Sequence, residues 1–183
     1  KFLLKIFTKY SFCLIISVMF ISCQSFIDVG DNMVRHFSKP AKIKNKVKNP
    51  VRDEVKLSAL WVGHATFLLQ IYDRVIFIDP LFTNNVAQVL RRYTEPGIDL
   101  NTIDNIDMTL ISHSHMDHLS HGSIAEIEKR YPETHLLFPA GAEEFLQDYD
   151  LEFHRMNLPE NQYEYIGESK IIDSVMITAV TSV

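Results

Sequence analysis

Hydrophobic and polar positions sort into short apolar runs divided by polar turns over most of the chain. Residues 55–60 read as a strand leading into Trp61-Val62-Gly63-His64-Ala65-Thr66. Residues 67–71 form a second run and 75–78 a third, with Asp73-Arg74 as the tight turn between them. These runs are nearly continuous rather than alternating, which predicts a hairpin meander buried on both faces. Residues 84–92 predict a short helix and 99–106 a short helix or turn. Asp107 opens another strand, which ends at Ile111 just before a histidine-rich stretch. Residues 122–130 carry a helical period: Ile124 and Ile127 lie three apart, Tyr131 follows four beyond, and Glu126, Glu128, Lys129 and Arg130 take the outer positions. Pro132 stops that helix. Beyond it the pattern predicts a strand over 134–138 and a second helix over 142–149 with Phe145 and Leu146 inward. Short strands follow over 152–156 and 170–174, and a more strongly β-prone one over 174–180. Strands and helices in this order give a layered α/β domain with a mixed β-sheet and flanking helices.

Composition narrows the chemistry. With 183 residues there is room for about one domain. Both cysteines, Cys13 and Cys23, precede the globular part, which therefore has no disulfide and no thiolate-held metal; any ion must be bound by His, Asp and Glu. From residue 51 onward there are nine basic and 21 acidic side chains. So acidic a body argues against nucleic acid as a partner.

The N-terminus has a different composition. Lys1, Lys5 and Lys9 precede an apolar run over 12–21 broken only by Ser17. That is the layout of a signal peptide over residues 1–22, too short to span a bilayer. Phe20-Ile21-Ser22-Cys23 resembles a bacterial lipoprotein box, in which the cysteine becomes the lipidated terminus; an ordinary signal peptide is the alternative. The expected location is the bacterial cell envelope, as a membrane-anchored lipoprotein or a periplasmic protein. Residues 23–50, with Lys39, Lys42, Lys44, Lys46 and Lys48 within ten residues and prolines at 40 and 50, read as a basic linker, which would also favour an anionic membrane surface. Residues 51–183 make the domain.

The densest chemistry is Ser112-His113-Ser114-His115-Met116-Asp117-His118-Leu119-Ser120. Three histidines and an aspartate behind a strand and ahead of a helix point to a metal site; the competing reading is a solvated histidine-rich loop. His113 and His115 have period-two spacing and can point the same way. Two adjacent metals use the four side chains easily, one taking His113 and His115, the other Asp117 and His118. Imidazole and carboxylate are the ligands of catalytic zinc, although iron and manganese accept them as well. His64 reads as a satisfied core histidine or one that orients a ligand, rather than as a ligand itself. Asp79, at the end of the third strand, either approaches the metals or caps its own turn. Arg91 and Arg92 read as a solvated pair or as contacts to an anionic substrate. His121 points by spacing away from the His113/His115 face. His135 and His154 stand alone and read as surface or structural residues.

These residues carry a resemblance. Leu60–Phe67, Ile78–Phe82, Arg92-Tyr93 through Pro96 to Leu100, Ile111–Leu119 and Ile177–Val180 occur in the order found in metallo-β-lactamase-fold hydrolases. The pattern is similar to the group that holds N-acyl-phosphatidylethanolamine-hydrolysing phospholipase D and the L-ascorbate-6-phosphate lactonase-like proteins. The resemblance implies the N-terminal half of an αβ/βα sandwich, with the site at the strand ends. It implies two Zn(2+) per complete site, held here by His113, His115, Asp117 and His118. Asp117 would also have a catalytic role, orienting a bridging hydroxide that attacks phosphorus or a carbonyl. The family's third histidine, bridging aspartate and last histidine have no counterpart in this sequence. The expectation is therefore that a full-length parent is an enzyme and that this chain alone is inactive.

The reading that results is a zinc hydrolase, a phosphodiesterase of phospholipase D type acting on N-acyl phosphatidylethanolamine-like lipids. A lactonase-type hydrolase and an inactive lipoprotein keeping half the metal site are the alternatives. Expected partners are a phosphodiester or phospholipid substrate and a membrane reached through the N-terminal lipid anchor, with a homodimer as a candidate assembly.

Overall fold

The apolar meander forms the first part of one six-stranded sheet. In the computed structural model, which describes residues 34, 38–86, 90–161 and 164–181, β1 (Leu57–Gly63), β2 (Thr66–Ile71) and β3 (Arg74–Ile78) pair antiparallel in succession. The chain divides into two compact units, residues 1–39 and 40–183. The expected signal segment, Cys23 and the first part of the 23–50 linker lie outside the described residues. No helix among the described residues is long and apolar enough to cross a membrane. From residue 40 the basic stretch is tied to the domain: Ala41 and Val47 form parallel bridges to Thr94 and Ile98, and Lys46 pairs with Glu95 at 3.3 Å.

After β3 come two two-residue strands, β4 (Asn85–Val86) and β5 (Leu90–Arg91), and a 3₁₀ turn at Leu100–Thr102. β6 (Met108–Leu110) then pairs parallel with β3, so the sheet changes from antiparallel to parallel. Helix α1 (His121–Arg130) follows, then β7 (His135–Pro139), a 3₁₀ turn at Ala142–Phe145 and β8 (Glu152–Met156). β7 and β8 extend the parallel part, giving the order β1-β2-β3-β6-β7-β8. A separate antiparallel hairpin, β9 (Ile166–Ile172) with β10 (Val175–Val180), completes the described domain. Its two-residue turn, Asp173-Ser174, has both residues at positive φ (48° and 67°), which matches the twist of a tight hairpin. The result is a mixed sheet with an associated α-helix.

The sheet is buried on both faces only at its centre, in β3, β6 and β7; the expected two-sided burial of the meander fails for β1 and β2, whose alternation leaves Leu57, Trp61 and Phe67 exposed. On one side Phe77 and Leu68 pack with Ile127 and Tyr131 of the α1 region, and Leu136 and Phe138 pack with Ile124 and Leu119. On the other, Ile76, Met108 and Leu137 pack against Ile172 and Val175 of the hairpin. Consecutive residues of β3 and β7 thus serve opposite layers.

Two expected helices are corrected. The described residues of the 84–92 segment form the β4–β5 pair, not a helix, with 87–89 outside the described residues: the Arg92 amide donates back to the carbonyl of Asn84, and its guanidinium donates to that of Leu81 at 2.5 Å. That inward pull folds the segment onto its own start. Arg92 is consequently buried while Arg91 is exposed, so the two are not a solvated pair. Over 142–149 only one 3₁₀ turn forms, entered through a left-handed Gly141. Phe145, at the end of that turn, faces solvent, while Leu146 packs against the core as expected, beside the buried Ala142 and Tyr149.

Candidate metal centre

Parallel pairing of β3 with β6 sets the site. Ile78 and Leu110 are register partners, so the residues that follow each strand leave the sheet side by side. Asp79 turns sharply with φ 45°, an uncommon value for a non-glycine residue, and its amide donates to the carbonyl of Leu110 at 2.9 Å. Thr66 fixes that turn from β2: its hydroxyl donates to the Asp79 carbonyl at 2.8 Å and accepts from the Leu81 amide at 2.9 Å.

The buried Asp79 carboxylate is the hub of the loop after β6. It accepts from the Ser112 amide at 2.7 Å and from the Ser112 hydroxyl at 2.6 Å. It also lies 2.8 Å from Nδ1 of His118. The amides of His118 and Leu119 both donate to the carbonyl of His115, which closes the turn that brings His118 back over the strand end. Ser120 then leads into α1.

These contacts decide which ring atoms remain free. A proton on His118 Nδ1 satisfies Asp79 and leaves the Nε2 lone pair, 3.6 Å from Oδ2 of Asp117. Since the Ser112 hydroxyl gives its hydrogen to Asp79, it accepts from Nδ1 of His113 at 2.9 Å. His113 Nε2 is then the acceptor of the 3.0 Å hydrogen bond from Nδ1 of His115, a bond that an ion between the two rings would replace. The donors therefore come as two pairs, His113 with His115 and Asp117 with His118. The two separations bracket the ~3.3 Å edge of a tetrahedron with metal–ligand bonds of about 2.0–2.1 Å, so each pair is spaced as two ligands of one ion would be.

His64 belongs to the same constellation. It occupies the β1–β2 turn after Gly63, at φ 53°, and its Nε2 lies 3.2 Å from Oδ2 of Asp117. Burial alone would raise Asp117, but the hydrogen bond to His64 and the nearby His118 ring outweigh it, and the carboxyl sits below its usual range. For His113, burial and the adjacent His118 and His115 rings push the imidazole below its usual value, against the pull of Asp79 and Asp117. A neutral imidazole is the form that binds a metal. His121 turns away, with Nδ1 2.9 Å from the Tyr149 hydroxyl. An apolar cleft walled by Ile78, Leu110, Phe138, Met156 and Ile177 opens beside His113 and Ser114.

Among the described residues, the three donors that converge closely enough to hold one ion are a different set: His135, Glu152 and His154. The residue-by-residue reading set these histidines aside because each is alone in its strand. The available signal was Glu152-x-His154, which puts a carboxylate and an imidazole on one strand face.

Comparison with known proteins places this geometry. The profile of the family described as "Beta-lactamase superfamily domain" matches residues 59–177. The chain is 24% identical over 110 residues to "N-acyl-phosphatidylethanolamine-hydrolyzing phospholipase D 1" of Caenorhabditis elegans, covering 58% of this chain and 31% of the relative. It is 31% identical over 108 residues to "UPF0173 metal-dependent hydrolase" of Sulfurisphaera tokodaii, covering 58% and 43%. The aligned region spans less than half the length of either relative. Among solved structures, "CmlA beta-hydroxylase E377D mutant" matches at 17% identity with a TM-score of 0.44, over 72% of this chain and 26% of that one.

Proposed function

The chain belongs to the beta-lactamase superfamily domain family, and from that premise we propose that it carries the first half of a zinc-dependent hydrolase centre. The observation that carries the proposal is the relay at the strand ends. Asp79 and Ser112 hold the non-ligating Nδ1 atoms of His118 and His113, and His64 flanks the Asp117 carboxylate, so the Nε2 atoms of both rings face the centre. His113 and His115 would hold one ion, Asp117 and His118 a second. Two protein ligands per ion are fewer than the three of a catalytic zinc, so the complete centre takes further donors from outside the described residues. Bound there, the ions supply Lewis acidity toward a phosphoryl or carbonyl oxygen and a water made acidic enough to react. Asp117, held below its usual range beside His64, keeps a negative charge at the centre and accepts a hydrogen bond there.

The proposed fold is the N-terminal half of an αβ/βα sandwich. Supporting it, Ile171 and Met176, cross-strand partners on the hairpin, are 75% and 66% exposed, an apolar face of the kind a second layer covers. The proposed substrate is a phosphodiester of an N-acylated phospholipid. The named activity of the C. elegans relative supports it, as does the apolar cleft beside His113, which suits an acyl chain. An envelope location through an N-terminal lipid anchor belongs to the same proposal and brings the site to its substrate.

The test is zinc content of the full chain beside His115→Ala and His118→Ala, followed by hydrolysis assays with zinc present. The proposal expects each substitution to lower the zinc content, and phosphatidic acid to be released from vesicles containing N-acyl phosphatidylethanolamine once the centre is complete. Equal zinc in all three proteins would sink the metal centre. Lactone hydrolysis without phospholipid cleavage would favour the lactonase reading. Bound zinc with neither activity would favour the inactive remnant.

A further inference from the structure

At the opposite end of the sheet, the start of β7 lies beside the start of β8, and His135 is the register partner of Glu152. His154 is two residues further along β8, on the same face as Glu152. The side chains converge. His135 Nδ1 is 3.0 Å from His154 Nε2, and Glu152 presents one carboxylate oxygen to each of those nitrogens at 3.3 Å.

No arrangement of protons satisfies these contacts while Glu152 is ionised. The nitrogen–nitrogen contact needs one hydrogen: with two, N–H faces N–H, and with none, two lone pairs meet. With one, the unprotonated nitrogen faces a carboxylate oxygen, again lone pair against lone pair. A divalent ion between the three donors satisfies all of them at once. Their separations are those of ligands on one tetrahedral ion with bonds of about 2.0–2.1 Å.

A second observation points the same way. Asp173, in the β9–β10 turn, places Oδ2 3.9 Å from Nε2 of His135, the ring nitrogen that faces away from the cluster. At that distance the carboxylate, which also pairs with Arg74 at 3.8 Å, acts on His135 through its charge, the side from which a carboxylate supports a metal-bound histidine. The nearby cation, Lys170, is drawn off to the Arg155 carbonyl at 2.9 Å and to Glu168 at 3.6 Å.

We propose that His135, Glu152 and His154 form a mononuclear site for a zinc-class divalent ion, separate from the strand-end centre, with Asp173 as the positioning residue for His135. A fourth position is open to water. The site joins the starts of two parallel strands to the turn of the hairpin that covers them, so the bound ion fastens the hairpin to the sheet.

The experiment is zinc titration of the full, chelator-stripped chain, with zinc alone as the probe. In a chain carrying His113→Ala, His115→Ala and His118→Ala, one equivalent should still bind and raise Tm. Adding His154→Ala or Glu152→Gln should abolish that equivalent and the Tm gain. Asp173→Asn should weaken it by about 10- to 100-fold. In the otherwise unaltered chain, Glu152→Gln alone should remove one equivalent, a readout independent of whether the triple variant folds. Glu152 is exposed, so the metal-free Tm of that variant should match the parent. Retention of the equivalent in both the Glu152→Gln and His154→Ala proteins overturns the proposal, as does a folded triple variant that binds no zinc.

Discussion

Asp79 and His118, 39 residues apart, meet through a 2.8 Å hydrogen bond that fixes which nitrogen of the imidazole faces the centre. The same carboxylate accepts both the amide and the hydroxyl of Ser112, so one buried charge orients the whole histidine loop. Asp79→Asn tests this with little change in shape, since asparagine also tolerates the left-handed backbone found there. Zinc affinity at the strand-end site should fall by about 10- to 100-fold in a competition assay with a coloured chelator. Circular dichroism should stay unchanged. Unaltered affinity would remove Asp79 from the centre.

Thr66 carries the turn that carries Asp79. Thr66→Val keeps the volume but orphans the Asp79 carbonyl and the Leu81 amide, both bonded to its hydroxyl in the interior. The expected cost is about 1–3 kcal/mol in a denaturant titration. Zinc binding should weaken with it, because the displaced group is the base of the relay.

Gly63 has φ 123°, and a Cβ there would stand 3.1 Å from the buried Arg92 guanidinium. Gly63→Ala should therefore lower stability by about 1–3 kcal/mol. Its neighbour His64 should lose its hold on Asp117, read as a rise in the Asp117 pKa by NMR toward its ordinary value. A stable variant with an unmoved Asp117 would refute the link.

Burial, with Glu128 nearby, pushes the Tyr149 hydroxyl up to about 12. In the unfolded chain the phenol ionises near 10, so the folded state holds the extra proton between these values. Its contribution is fully present below pH 10 and is lost as pH rises through 12. Thermal unfolding from about pH 9 to 12 should show a decline on the order of 2 kcal/mol that Tyr149→Phe flattens.

The two expected helices fail for separate reasons. Residues 84–92 carry enough apolar positions for a helix, yet Arg92 finds its partner in the Leu81 carbonyl and doubles the segment back. Phe145 has the spacing of an inward helical residue, but after Gly141 the chain forms a single 3₁₀ turn and then runs extended toward β8. In the first case a contact outside the local window overrode the local pattern; in the second the left-handed Gly141 starts a turn that does not continue as a helix.

What the sequence determined by itself was the strands, the helix and the histidine loop. The strands rest on short continuous apolar runs bounded by turns, the helix on a period of 3.6, and the loop on a motif of nine residues directly behind a strand, and local physics suffices for those. His64 as an orienting residue and Asp79 as a strand-end carboxylate were legible as candidates; their partners were not. Only the tertiary structure joined Asp117 to His64 across 53 residues and His135 to His154 across 19. Antiparallel pairing of β2 with β3 and parallel pairing of β3 with β6 bring the first pair together, and parallel pairing of β7 with β8 the second; parallel register is fixed by crossover packing, which no local stretch of chain encodes.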